Sequence, residues 1–363
     1  MKQSKLVKEV FGTLPNGETV ESICMSNHHG VSVRIISYGA SIQSVCVPDR
    51  DGNFADVTAG YSTLAQYIEH PQFFGATVGR VANRVAKARF MLDGKNFTVP
   101  ANDGPHSLHG GLGFDKVNWV VAECVDDDLS VTLRHISPDG DQGYPGTLTV
   151  TATYSLDDSN SLTVRYEATT DAPTMVNLSN HAYWNLAGEG SAGGAMNHRI
   201  AIYADHFLPI DAELIPTGER RHVGDTLFDF RKPAVIGTHV RNSADAQISF
   251  GHGYDHNWIF SKQASEGPRV VAHLEEPRSG RTMTMLSNQP GLQFYSGNFF
   301  DGTTSGKLGK PFLGGDYIAL EPQQFPNAAN QTSFPSIQLN PGELYSNVII
   351  WRFGTNDTEI YEK

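Results

Sequence analysis

LTVTATYSLDDSNSLTVRYEATT, residues 148–170, alternates apolar and polar side chains along two runs separated by DDSNS. Leu148, Val150, Ala152, Tyr154 and Leu156 share one face of the first run, and Leu162, Val164, Tyr166 and Ala168 share one face of the second. Successive side chains of a strand point to opposite faces, so this spacing predicts two half-buried strands, and the Asp/Ser/Asn cluster between them supplies turn chemistry for a β-hairpin. AHLEEPRSGRTMTML, residues 272–286, repeats the design with Pro277, Ser279 and Gly280 as punctuation.

Further strands are predicted at GVSVRIISY, SIQSVCVPD, DLSVTLRHI, HRIAIYAD, GYDHNWIF, GDYIALEP and YSNVIIWRF, all rich in β-branched and aromatic residues. Helical signals are few. YSTLAQYIEHPQFF reads as one short helix ended by Pro71, whereas Gly75 and Gly79 favour an irregular or strand-like lead-in to GRVANRVAKARFML despite its helical spacing. The 36 glycines and 19 prolines are spread as turns with no linker block, and GEGSAGGA, residues 188–195, is a loop between strands of one kind. The expected fold is all-β, a large antiparallel β-sandwich forming a single domain over residues 1–363.

With 39% hydrophobic and 18% charged residues the chain buries a sizeable core, and its formal charge of −12 argues against nucleic acid and anionic membrane as partners. The cluster Arg80, Arg84, Lys87 and Arg89 reads mostly as a solvated face. MKQSKLVKEVFG lacks the apolar run of a signal peptide, and Cys24, Cys46 and Cys124 are odd in number without zinc spacing, so a cytoplasmic setting is expected.

Polar groups suited to a neutral, hydroxyl-rich ligand recur near predicted turns, in VANRV, HSLHGG, NHAYWN, GYDHNW, PGLQFY and ALEPQQFPN. No metal site is expected: His106 and His109 point to opposite faces of an extended run, and His252, Asp255 and His256 converge only on a helix that the adjoining glycines disfavour. Glu321 shares a strand face with Tyr317 and Ala319, where an uncompensated carboxylate is costly, so it is either paired structurally or poised as a base. His181 faces the same choice. Tyr183, Trp184 and Phe325 read as core aromatics.

ATVGRVANRVAK, SLHGGLGFDKVNW, ISPDGDQGYPGTL, NLSNHAYWNLAG, LIPTGE, FDFRKP, GYDHNW, QPGLQFYSGN and ALEPQQFPNAANQ, in this order, resemble the galactose mutarotase (aldose 1-epimerase) family from about Ser37 to Tyr345. The resemblance implies a β-sandwich that opens the hemiacetal ring of a free aldose such as galactose or glucose and recloses it on the other face, without a cofactor. It implies His181 as general acid and Glu321 as general base, with Asn83, Arg84, His109, Asp255 and Gln293 binding the sugar. Ala182, Trp184, Pro322, Gln324 and Phe325 depart from motif versions reading NHSYFNL and ETQNWP, which bears on the sugar preferred.

Ring opening needs a proton delivered at the ring oxygen while another leaves the anomeric hydroxyl, so two poised groups serve where one would build up charge. The pair is expected to begin as histidinium and carboxylate and to occupy opposite edges of one hollow. The expected partner is a monosaccharide, bound by a monomer or homodimer. Two other readings use the same residues: a catalytically silent sugar-binding protein on this fold, and a glycoside hydrolase using Asp255 and Glu321.

Overall fold

The computed structural model describes residues 4–261 and 263–356, so the two ends of the 1–363 span and Lys262 lie outside the described residues. The hairpin at 148–170 forms as its alternation requires, in unbroken antiparallel register from Leu148 opposite Thr170 to Leu156 opposite Leu162. Its inward residues are buried and the intervening threonines and serine are half-buried. This hairpin lies within a nine-stranded antiparallel sheet, flanked by Ser130–Ser137 on one side and by Tyr345–Thr355 on the other. Arg281–Ser287 and Arg269–Glu275, the second predicted hairpin, follow in the same sheet.

A six-stranded sheet carries Tyr183–Trp184, Ile318–Gln323, Gly291–Tyr295, Asp255–Ile259, His206–Leu208 and Arg221–His222 in that order. Its inner face supplies Trp184, Trp258, Leu292, Phe294, Ile318 and Leu320 to the core shared with the large sheet. The fold is thus all-β and antiparallel, as expected. A five-stranded sheet begins with Lys5–Thr13 and ends with Phe54–Asp56.

The predicted short helix is Leu64–Glu69, started by a capping box between Thr63 and Gln66 and followed directly by His70 and Pro71. A second helix, Ala246–Gly251, escapes the sequence reading; Asp245 caps it by accepting from the amides of Gln247 and Ile248. Its single turn and a half is too short to show periodicity. GRVANRVAKARFML divides into the strand Arg84–Val85, a 3-10 turn and the strand Arg89–Leu92. Among the described residues no helix is long and apolar enough to cross a membrane.

Two of the four basic side chains expected on a solvated face are buried instead. Arg80 binds the carbonyls of Ser137, Pro138, Pro145 and Gly146, which repays the cost of burying its charge. Arg84 is buried for a different reason, given below; Lys87 and Arg89 are exposed.

Because Leu162 is fully buried in the sheet core, Leu162→Ala is expected to cost about 2–5 kcal/mol of stability through lost contacts and a residual cavity. A urea titration checks the size. Turnover per folded molecule is expected to stay at the wild-type rate.

Candidate active site

The segment NLSNHAYWNL crosses between sheets. Ser179–Asn180 pairs with Thr77–Val78, and Tyr183–Trp184 pairs with Ile318 and Ala319 on the edge of the six-stranded sheet. His181 sits at the crossing. Asn180 fixes it there: its side-chain amide donates to Gly75 O and to the Tyr154 hydroxyl in the core, and its oxygen accepts from the Ala182 amide. The backbone N–H of His181 donates to Ala76 O at 2.8 Å.

Beside it, Gln293 stands opposite both Asn257 and Glu321 across three neighbouring strands, so these side chains share one face. Asp255 leads the first of those strands on the same face. His181 Nε2 lies 3.6 Å from Glu321 Oε1, both side chains being buried. The acid and base candidates are therefore neighbours on one wall rather than residents of opposite edges. The ring oxygen and the anomeric hydroxyl of a sugar are bonded to the same carbon, so adjacent groups are the arrangement that reaches both.

A third element completes the hollow. Leu108 pairs with Arg84, after which the chain turns through His109 in the left-handed region, at φ 52°, into Gly110 and Gly111. Gly110 permits this turn, because a Cβ there would lie 2.2 Å from Gly79 O. The turn brings His109 Nδ1 within 3.2 Å of the Asn83 amide, which donates to it. The proton of the neutral ring is then on Nε2, making His109 a donor.

Arg84 is held by Asp103, whose Oδ2 accepts from Nε at 2.7 Å, and its Nη1 lies 3.6 Å from Asp255 Oδ2. Gln293 donates to the other oxygen of Asp255 at 2.7 Å. The cavity, open to solvent on one side, has a volume of about 170 Å³ and is bordered by Asn83, Arg84, His109, His181, Asp255 and Glu321 among others. That is smaller than the roughly 300–1,000 Å³ of sites for drug-sized ligands and suits one small molecule. A larger hollow of about 810 Å³ between Leu6 and Asp128 is lined by His28 and five aspartates, but its His28–Asp158 pair is exposed and no arginine among the described residues borders it.

Of the seven residues singled out from sequence, six border this cavity. Gln293 does not; it stands behind Asp255 and orients it. Asp103 and Phe73 escaped the reading of the sequence, and Tyr183 was read as a core aromatic alone. Phe73 stacks on His181 with ring centres 5.7 Å apart, and the Tyr183 ring centre lies 4.8 Å from the same imidazole. Tyr183 is thus a core aromatic that also borders the cavity. Phe325 and Trp184 belong to the core alone.

These apolar flanks govern protonation. Burial pushes the His181 imidazole down to about 4 and raises the Glu321 carboxyl well above its usual range, against the lowering effect of Arg84. Burial likewise lowers His109 and raises Asp255. Burial thus favours the uncharged form of both groups in the free site. That direction runs against the expected resting histidinium and carboxylate, because desolvation opposes their attraction at 3.6 Å.

One ligand atom each from His109, His181 and Glu321 fall within 4.8 Å of one another, a grouping the sequence did not suggest. The donor set does not fit a metal ion, because Nδ1 of His109 is engaged by the Asn83 amide and its Nε2 carries the proton. The other two metal candidates do not converge. His106 accepts from the Lys87 amide, while His256 accepts from the backbone N–H of Asp255 and packs its ring against Phe207 and Phe228, on the opposite strand face from the Asp255 carboxylate.

The aldose 1-epimerase family model matches residues 21–352. The chain belongs to the aldose 1-epimerase family. It is 44% identical to the galactose mutarotase of Sus scrofa over 343 residues, covering 94% of this chain and 96% of that protein. The aldose 1-epimerase of Escherichia coli is 34% identical over 351 residues, covering 96% and 99%. In structure, galactose 1-epimerase from Lactobacillus acidophilus superposes with a TM-score of 0.85 at 30% identity, over 97% of this chain and 99% of that one. An aldose epimerase homologue from C. elegans gives 0.83 at 28% identity, with the same coverage.

Since Asp103 reaches Arg84 from outside the cavity, Asp103→Asn weakens the grip on the guanidinium without removing a reacting group. Losing a hydrogen bond between charged partners, one of them half-exposed, is expected to raise KM for the sugar about 3- to 10-fold. kcat is expected to change less than twofold by the same reasoning. Polarimetric initial rates separate the two.

Proposed function

We propose that this aldose 1-epimerase interconverts the α and β anomers of a free aldose, galactose or glucose, with His181 as general acid and Glu321 as general base. The observation that carries the assignment is the 3.6 Å approach of Nε2 to Oε1 inside a cavity sized for one small molecule. Names of relatives that act on galactose support the choice of sugar.

In this reading the free pair shares one proton, which burial biases toward the carboxyl. Bound hydroxyls, together with Arg84 beside Asp255, favour the ionised carboxylate, and the proton passes to His181, whose Nε2 lies 3.6 Å from Oε1. Glu321 then takes the proton of the anomeric hydroxyl while His181 protonates the ring oxygen. The bond from the anomeric carbon to the ring oxygen breaks, leaving an open-chain aldehyde. Rotation about the adjoining carbon–carbon bond presents the other face of the carbonyl, and the same two groups, now with exchanged roles, close the ring.

If each group contributes about 10²- to 10⁴-fold, the pair lowers the barrier by roughly 5–11 kcal/mol. Arg84, Asp255, Asn83 and the Nε2–H of His109 are the hydroxyl ligands in this reading, with Gln293 holding Asp255. Asp255 is thereby a held ligand rather than the second acid of a hydrolase.

The chain is proposed to act as a single domain, supported by a nine-stranded sheet whose members run from Val120 to Thr355. A cytoplasmic setting and a monomer or homodimer belong to the same proposal. The test is polarimetry on anomerically pure α-glucose, α-galactose and pentoses: acceleration over the buffer rate for a hexose is expected. A catalytically silent protein would bind sugar and leave that rate unchanged.

A further inference from the structure

The sheet face that carries Glu321 continues into a second polar row. One pleat beyond the pair of Gln293 and Glu321, Gly291 stands opposite Gln323. Gly291 has no side chain, and Asn257 takes the space: a Cβ at Gly291 would meet Asn257 Oδ1 at 2.5 Å. Asn257 and Gln323 are buried behind the cavity rather than on its wall. Phe325, whose ring comes within 3.1 Å of that Cβ position, shuts the far side together with Leu208 and Phe334.

Both ends of both amides lack a protein partner among the described residues, as do Gln293 Oε1 and Glu321 Oε2. Buried polar groups are almost always satisfied, so six orphaned atoms on adjoining rows of one face call for shared partners, each water serving up to about four of them. Their chemistry is complementary. Two amide NH2 groups donate, while two amide oxygens, Gln293 Oε1 and Glu321 Oε2 accept. None reaches another directly, and a molecule that both donates and accepts joins them.

We propose that Asn257 and Gln323 hold a bridging water against Oε2 of Glu321 and are thereby positioning residues for that carboxylate. The inference rests on Glu321 being the base. A donor on Oε2 favours the ionised form, so the amide row eases the proton's departure from a carboxyl that burial would otherwise hold protonated. The other groups facing Glu321 are His181 and Tyr183 from the crossing segment, Arg84 and His109 from the third element, and Asp255 and Tyr295 from the neighbouring strands. All six are left in place by the substitutions below.

The experiment measures kcat against pH for anomerically pure glucose or galactose in Gln323→Met, Gly291→Ala and Glu321→Gln, with thermal unfolding alongside. Gly291→Ala keeps both amides but drives Asn257 aside, and it covers the case in which an apolar side chain at 323 weakens the fold. The expected result is an acid limb moved up by about one pH unit, a roughly tenfold loss below it and recovery of the rate at higher pH. A high-resolution crystal structure is expected to show the water within hydrogen-bond distance of Oε2. An unmoved limb, or a loss equal at every pH, overturns the amide role while leaving the base intact when Glu321→Gln has lost its rate. Full activity of Glu321→Gln overturns both.

Discussion

Glu321→Gln is expected to lower kcat for anomerisation by about 10²- to 10⁴-fold, because an amide of nearly the same shape cannot take the anomeric proton. The fold is expected to survive. Burial raises the Glu321 carboxyl well above the usual range and so favours its uncharged form, which the amide resembles in charge and shape. The pH dependence of stability supplies an independent check. A carboxyl raised in the folded state binds its proton more tightly there than in the unfolded chain, so the native state loses stability as pH climbs from the unfolded value toward the folded one. Glu321→Gln removes that loss. Its unfolding free energy relative to wild type is therefore expected to rise with pH across this window, and a falling difference would place the carboxylate, ionised, in a stabilising pair. Circular dichroism with urea at several pH values reads the difference directly.

How much of this was legible in the sequence depends on the range of the interaction. The hairpin at 148–170 was legible because alternation is local, and each apolar residue of LTVTATYSL declares its face without reference to the rest of the chain. Glu321 was legible in part for the same reason: the pattern of DYIALEP put it on a face with Tyr317 and Ala319. What it met on that face was not. The proximity of His181 is set by a crossing between sheets, held by the Asn180 amide against a tyrosine of the hairpin core, and no periodicity encodes such a crossing. The resemblance of ordered motifs to a known family supplied the residues but not their arrangement, which is why the acid and base were expected apart and are found side by side. Arg84 shows the opposite failure. Its neighbours in sequence read as a solvated basic face, and Asp103, nineteen positions away, together with Asp255 on another strand, explains why a guanidinium can be buried there. The amide row was invisible for a similar reason, since Asn257 and Gln323 become neighbours only through Gly291.

His181→Gln is the companion experiment, and its value lies in the comparison with Glu321→Gln. Glutamine retains size and polarity but has no proton to give at the ring oxygen, so a loss of about 10²- to 10⁴-fold in kcat is expected. Groups that hand one proton between them act as a unit, and the double variant is expected to be little slower than the slower single variant, not slower by the product of the two losses. A fully multiplicative loss would mean that the imidazole and the carboxyl act in separate steps, and the shared-proton mechanism would fall. Stability again gives a second readout, this time of opposite sign. The His181 imidazole is held down to about 4 by burial, below its ordinary value of 6.5, so the unfolded chain takes up a proton over that interval before the native one does. Wild-type stability therefore falls as pH drops from about 6.5 to about 4, by on the order of 3 kcal/mol from this residue. His181→Gln is expected to flatten that part of the curve, although His198 and His256, which burial lowers to about 4 and about 3, keep their own shares of it. In the proposed mechanism the imidazole that burial biases toward neutrality is also the group that accepts a proton before the sugar reacts, so acid sensitivity and catalysis would trace to one side chain placed between Phe73 and Tyr183.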